Sequence, residues 1–279
     1  MDLAITNLDH SYQCYCALTR IAAAVANAPP GRINVDCSAA RFISSGMTAH
    51  LQVALAPWAR SIAFTNLRPE VKVALAKNGL FREKVQERGR TTIPLTKFHP
   101  SEAKRFAAYS GEHLRDKGIP RMSQPLEAKF FESIDELFQN CALHSKADLV
   151  FSCGQLFPKM RVLEFAIADT GIGIAKSLER IGKFYRPDRA IEWAMHHGTS
   201  RIGDVPGGLG LKIIREFIEL NGGEITVVSD QGFWQMRRRS SVAKLLPFRF
   251  PGTAVTLKVD TSDTNFYDFA TPIDPGSIF

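Results

Sequence analysis

The sequence predicts an α/β protein in two units, an N-terminal α/β domain and a C-terminal two-layer α/β sandwich. Three observations predict it. Short apolar runs alternate with stretches of helical periodicity up to about residue 95. A charged stretch carrying Pro100, Gly118 and Pro120 then breaks both periods. A long amphipathic helix opens a second series of strands beyond it. The expected division is a first domain over 1–95, a linker with one short helix over 96–123, a second domain over 124–260 and a tail over 261–279.

In the first unit, helical periodicity covers 12–28 and stops at Pro29-Pro30-Gly31. A strand follows over 32–37, then a helix from Gly46 to about Pro57 and a short strand over 61–64. A helix over 69–78 opens on Pro69 and closes on Gly79, a residue suited to the left-handed cap position. The second unit opens with a helix over 125–145. At 100° per residue, Phe130, Ile134, Leu137, Phe138 and Cys141 gather on one side, while Glu132, Glu136 and Asn140 form an i, i+4 row on the other. Alone, that row is a wet face. Strands follow near 149–153 and over 162–168, then a lid-like stretch over 176–206 with a helix at 188–197. Gly207-Gly208-Leu209-Gly210-Leu211 leads into a helix ended by Asn221-Gly222-Gly223, and strands over 224–229 and 254–259 finish the sheet.

Composition sets limits on function. With 279 residues, 45% hydrophobic and 23% charged, the chain has a soluble composition and enough apolar surface for a sizeable core. Met1-Asp2-Leu3 and the short apolar run 21–28 point away from a signal peptide or a membrane span, and toward the cytoplasm. Five cysteines without paired CxxC spacing suggest reduced core thiols. The net charge of +7 is compatible with a polyanion. Its only dense cluster, Arg237-Arg238-Arg239, lacks interleaved aromatics, which disfavours nucleic acid.

The stretch "ADTGIGI", 168–174, sets the chemical question, because a buried-looking strand ends in a carboxylate followed by two glycines. A plain turn, a nucleotide loop and a metal loop all fit that stretch taken alone. A P-loop needs Gly-x-x-x-x-Gly-Lys-Ser/Thr, which is absent; a dinucleotide loop needs a third glycine; a calcium loop needs more oxygen ligands after Asp169. The order of motifs decides: Glu136-x-x-x-Asn140 on a helix, Asp169-x-Gly171-x-Gly173 after a strand, Gly208-x-Gly210 before a helix, and Gly252-Thr253 before a last strand.

Those four motifs, "ELFQN", "DTGIGI", "GGLGLKII" and "GTAVTL", make residues 125–260 resemble the ATP-binding domain of gyrases, ninety-kilodalton heat-shock chaperones, sensor histidine kinases and mismatch-repair ATPases, the GHKL or Bergerat fold. The resemblance implies ATP bound with magnesium (Mg2+) between a helical layer and a flexible lid. It makes Asp169 the acceptor of the adenine amino group, a charge-assisted bond worth about 1.5–3 kcal/mol. Gly171 and Gly173 would let the main chain approach the base, and Ile172 and Ile174 would wall it. Asn140 would hold magnesium and Glu136 would be the general base. Gly207, Gly208, Leu209, Gly210 and Leu211 would present amides to phosphate at a helix start, with Lys212 as an added cation and Thr253 as support for Asp169. Arg201 on the lid is a further candidate for the γ-phosphate.

The N-terminal part, through "INVDCSAARFISSGMTAHL" and "VKVALAKNGLF", is similar to a STAS domain, the module of anti-sigma factor antagonists, in which a serine is phosphorylated by a kinase of this ATP fold. Ser45 is the corresponding phospho-acceptor, with no acidic residue between Ile43 and Ser44. A serine cap of the following helix explains it equally. His113 lacks the flanking pattern of a histidine-kinase acceptor. The expected function is therefore a regulatory ATPase or serine kinase coupled to a protein partner through the STAS-like domain, with room for a homodimer. The alternative is a non-catalytic switch in which ATP closes the lid.

Overall fold

The computed structural model describes residues 2–27, 32–55, 62–81, 90–143, 145–197 and 209–269. Two sheets organise them. The first contains β1 (Asp2–Ala4), β2 (Ile33–Asp36) and β3 (Ile62–Thr65), all parallel in the order β1-β2-β3. It is connected by α1 (Tyr12–Ala26) and α2 (Met47–Leu55) and followed by α3 (Pro69–Asn78). The Ser11 hydroxyl caps α1 by accepting the Cys14 N–H at 3.2 Å, and Gly79 ends α3 at φ +90°.

The second sheet is antiparallel, in the order β4-β5-β6-β8-β7. Its strands are β4 (Thr92–Phe98), β5 (Val150–Phe157), β6 (Val162–Asp169), β7 (Glu224–Arg237) and β8 (Ser240–Asp260). One face carries α4 (Ala103–Leu114), α5 (Gln124–Leu143), α6 (Ile174–Glu179), α7 (Pro187–His197) and α8 (Leu209–Asn221). Strand alternation divides β6 between two cores. Leu163, Phe165 and Ile167 face the helices of this unit, whereas Ala166 and Ala168 join a core with Leu18, Val25, Leu51 and Val53 of α1 and α2. The sheet is thus covered on both faces.

Three expectations need correction. Residues 96–123 are not a linker. Strand β4 pairs with β5 from Thr92↔Gln155 to Phe98↔Val150, and Phe106 of α4 stacks on Phe138 of α5 with ring centroids 4.5 Å apart. Charge on the outer face of α4 masks an apolar stripe of Phe106, Tyr109 and Leu114, while Pro100 and Gly118 lie outside its ends. The N-terminal unit is accordingly not a tethered domain, since α1 and α2 complete the core of the second sheet.

The strands over 224–229 and 254–259 are the inner parts of a much longer hairpin. Strand β7 doubles back: the Arg238 N–H reaches the Gly223 carbonyl at 3.2 Å, and the Gln235 side chain reaches the Thr226 hydroxyl at 3.0 Å. Fourteen extended residues would separate those ends by roughly 45 Å, so the chain reverses near Asp230, which has φ +53°. Phe233 packs on Tyr12 of α1, its neighbour Trp234 on His196 of α7, and Gly232 admits α7 so closely that a Cβ would meet the Pro187 carbonyl at 2.6 Å. Within the tail, Tyr267 bridges to Met122 and packs on Phe217; residues 270–279 lie outside the described set.

Candidate nucleotide site

Helix α5 buries Phe130, Ile134, Leu137, Phe138 and Cys141, as its periodicity requires. Glu132 is exposed and pairs with Lys129 at 2.8 Å, whereas Glu136 and Asn140 are half-buried on the same side of the helix. Asn140, Leu137 and Cys141 form one wall of a cavity of about 160 Å³. Its floor is Ile167, Asp169, Thr253 and Val255, and its far side is Ile174, Leu178, Trp193, Met195 and Leu211. Asn140 and Asp169, from separate motifs, therefore share a single and mainly apolar cavity. Trp193 is held from outside by Tyr185, stacked at 6.1 Å, and by the Lys183 ammonium, 3.8 Å from the ring centroid.

Asp169 ends β6 and is 3% exposed. Burial pushes its carboxyl up to about 6, against the lowering effect of the Gly171 N–H, the Cys141 and Ser145 side chains and the Thr253 backbone. The Gly171 N–H donates to Oδ1 at 2.7 Å. Burial with neutral donors only, and no cation among its described partners, leaves the carboxylate short of compensation.

The loop after Asp169 is tied down by main-chain bonds. Thr170 N–H donates to the Leu149 carbonyl at 3.1 Å, Ile172 N–H to the Ser145 carbonyl at 2.7 Å, and Ile174 N–H to the Ser229 hydroxyl at 2.8 Å. The two glycines answer to different constraints. A Cβ on Gly171 would overlap Ser145, and Gly173 has φ +86°. Close approach at Gly171 is thus to Ser145, just beyond α5, while Gly173 and Ile174 line the cavity directly. Thr253 sits opposite Asp169 in the β6–β8 ladder, and its hydroxyl lies 2.9 Å from that of Ser229.

Leu209, Gly210, Leu211 and Lys212 lie in the first turn of α8, and Leu211 reaches the cavity. Lys212 is exposed and faces Glu216 at 3.8 Å along its own helix, so it is not directed at the cavity. Gly207, Gly208 and Arg201 lie outside the described residues. Ser45 is buried, its hydroxyl bonded to Gln155, on the face of the sheet opposite the cavity. Sequence reasoning missed Ser145 and Ser229, which fix the loop, and Trp193, which closes it. A signal for the first existed, since Leu137, Cys141 and Ser145 continue one i, i+4 row.

Comparison with known proteins gives three findings. Residues 126–263 match the family model described as "Histidine kinase-, DNA gyrase B-, and HSP90-like ATPase". A stretch of 72 residues, 25% of this chain, is 40% identical to the histidine protein kinase DivJ of Caulobacter vibrioides. The match covers 11% of that relative's length. Among solved structures, the histidine kinase domain of the Erythrobacter litoralis EL346 blue-light activated histidine kinase aligns over 78% of this chain and 75% of its own, at 11% identity and a TM-score of 0.28.

Proposed function

We propose, from the match of residues 126–263 to the histidine kinase-, DNA gyrase B- and HSP90-like ATPase family, that the chain binds magnesium-ATP in the cavity between Asn140 and Asp169. The observation that carries this is the convergence of those two side chains, from separate motifs, on one apolar space with a buried carboxylate at its floor. An ionised Asp169 lacking a cationic partner is suited to accept the exocyclic amino group of adenine, and Ile174, Leu178 and Met195 supply apolar surface for the ring.

Asn140 offers a neutral oxygen at the cavity wall, a fitting ligand for a hard cation that takes most of its oxygens from phosphate and water. When bound, magnesium would neutralise phosphate charge. Glu136, one turn earlier on α5, would orient the acceptor hydroxyl and take its proton as the γ-phosphoryl passes from ATP to water or to a protein serine, leaving ADP. The N-terminal unit would serve as the STAS-like surface for a protein partner. Ser45 can act as phospho-acceptor only if α2 lifts from β5 to expose it.

A non-catalytic switch is favoured by one specific observation. Helix α7, whose Trp193 and Met195 line the cavity, and helix α1 of the N-terminal unit pack on opposite sides of the doubled β7–β8 hairpin. A ligand that moves α7 would act on α1 through two adjacent residues, Phe233 and Trp234.

Incubating the protein with γ-labelled ATP and magnesium separates these outcomes. Free labelled phosphate identifies an ATPase, label on serine a kinase, and tight binding without turnover a switch. Glu136→Ala is expected to retain ATP and lose turnover, whereas Asp169→Asn is expected to bind ATP about 10- to 150-fold more weakly. Equal turnover in both variants and the wild type would refute the assignment of the site.

A further inference from the structure

A second cavity, of about 630 Å³, lies on the opposite face of the sheet, where the N-terminal unit meets the β5–β6 and β7–β8 turns. Its buried wall is His10, Ser44 and Glu164, and its rim carries Arg161, Arg237, Arg238 and Lys258. The carboxylates around it are all engaged. Glu164 accepts from the Ser44 hydroxyl and the Gly46 N–H and pairs with His10, and Glu224 pairs with Lys258 at 2.9 Å. Asp260 accepts from the Ser262 N–H and hydroxyl, and Asp9 from the Ser11 N–H.

The three arginines are different. Among the described residues none of them has an ion-pair partner, although Arg239 beside them reaches Glu219. Two of them, Arg161 and Arg238, have φ +54° and +55°, a conformation unfavourable for a long side chain and unnecessary for a turn that glycine or asparagine would fill more easily. Those turns belong to different hairpins, yet both place a guanidinium at the same opening. The remaining side of the mouth is apolar, with Phe42 and Phe157 at 6.5 Å between ring centroids and Met160 beside them, Phe42 and Met160 being exposed.

From this the geometry points to a second ligand site, for a small molecule that carries a phosphate group and a ring or short apolar portion. Forked guanidinium donors match phosphate oxygens, the aromatic side takes the apolar part, and the volume lies within the range of small-molecule sites, roughly 300–1,000 Å³. The site is formed by both halves of the chain, so its ligand holds the N-terminal unit against the back of the ATP-binding sheet.

The test is calorimetric titration of the full chain with phenyl phosphate and with inorganic phosphate, each in the presence of saturating adenosine, which fills the base cavity and carries no phosphate. Phenyl phosphate is expected to bind saturably, about tenfold more tightly than inorganic phosphate. Arg161→Gly, which relieves the positive φ while removing the guanidinium, and Arg237→Ala/Arg238→Ala should each weaken it at least tenfold. Arg105→Ala/Arg115→Ala, which removes two charges on a distant surface, should change it less than twofold. Absence of saturable binding, or equal weakening in the distant pair, would each overturn the assignment. None of those results would bear on ATP binding at Asp169.

Discussion

Substituting Asp169 by asparagine should make the nucleotide-free protein more stable while removing its function. The folded carboxyl titrates at about 6 against an ordinary 3.8, mainly because burial disfavours the charge. The folded state therefore holds the proton more tightly than the unfolded chain. This group favours folding below about pH 4, and that contribution is lost as pH rises through 6. The gap between 3.8 and about 6, at about 1.4 kcal/mol per pH unit, makes ionised Asp169 oppose folding by up to about 3 kcal/mol at pH 7. Asparagine keeps an oxygen for the Gly171 N–H and carries no charge. Urea unfolding without nucleotide should show Asp169→Asn more stable by up to about 3 kcal/mol at pH 7 and by only about 1 kcal/mol at pH 4.5. ATP affinity should fall about 10- to 150-fold, the equivalent of one charge-assisted hydrogen bond. A variant no more stable than wild type at pH 7, or a gain that does not vary with pH, would refute the account of this cavity.

Other expectations follow from the same geometry. Glu164→Gln should cost about 3 kcal/mol at pH 7, since the folded carboxyl lies at about 2 against 4.5; the deficit should vanish as pH falls from 4.5 through 2, as measured by urea midpoints. Gly252→Ala would put a Cβ onto the Asp169 carbonyl at φ +143°, so a loss of at least about 2 kcal/mol by thermal unfolding and weakened ATP binding are expected. Trp193 lines the cavity, so ATP should change tryptophan fluorescence in the wild type and leave Trp193→Phe unchanged, although two other tryptophans remain.

What the sequence made legible was whatever depends on residues close together along the chain. The i, i+4 stripe of α5 and the sharp turn after Asp169 are local devices with local physical causes, and they fall where spacing places them. The doubled hairpin was not legible. Its reversal at Asp230 carries only one following glycine, and Arg238-Arg239 at the second turn suggests a solvated loop rather than a strand junction. The supposed linker failed for a related reason. Charge dominates its composition, yet four well-spaced apolar side chains, Phe98, Phe106, Tyr109 and Leu114, decide where it packs. Nor does local pattern show that the N-terminal helices cover the back of the second sheet, because that contact joins residues more than a hundred positions apart.

The two buried carboxylates of β6 show most clearly where sequence reasoning stops. Glu164 and Asp169 lie on one strand, are 2% and 3% exposed, and both follow apolar residues. Their surroundings push them in opposite directions. Burial would raise Glu164 too, but the charge and hydrogen bond of His10, with Lys258 and the Ser44 hydroxyl, outweigh it and hold the group ionised. Asp169 receives neutral donors only, and burial prevails. One carboxylate is thus satisfied within the fold and serves to join its two halves, while the other has only neutral donors to offset its burial. The difference depends on which face of the strand each residue occupies and on what the distant N-terminal segment brings to that face. Position along β6 fixes the first, but only tertiary packing fixes the second.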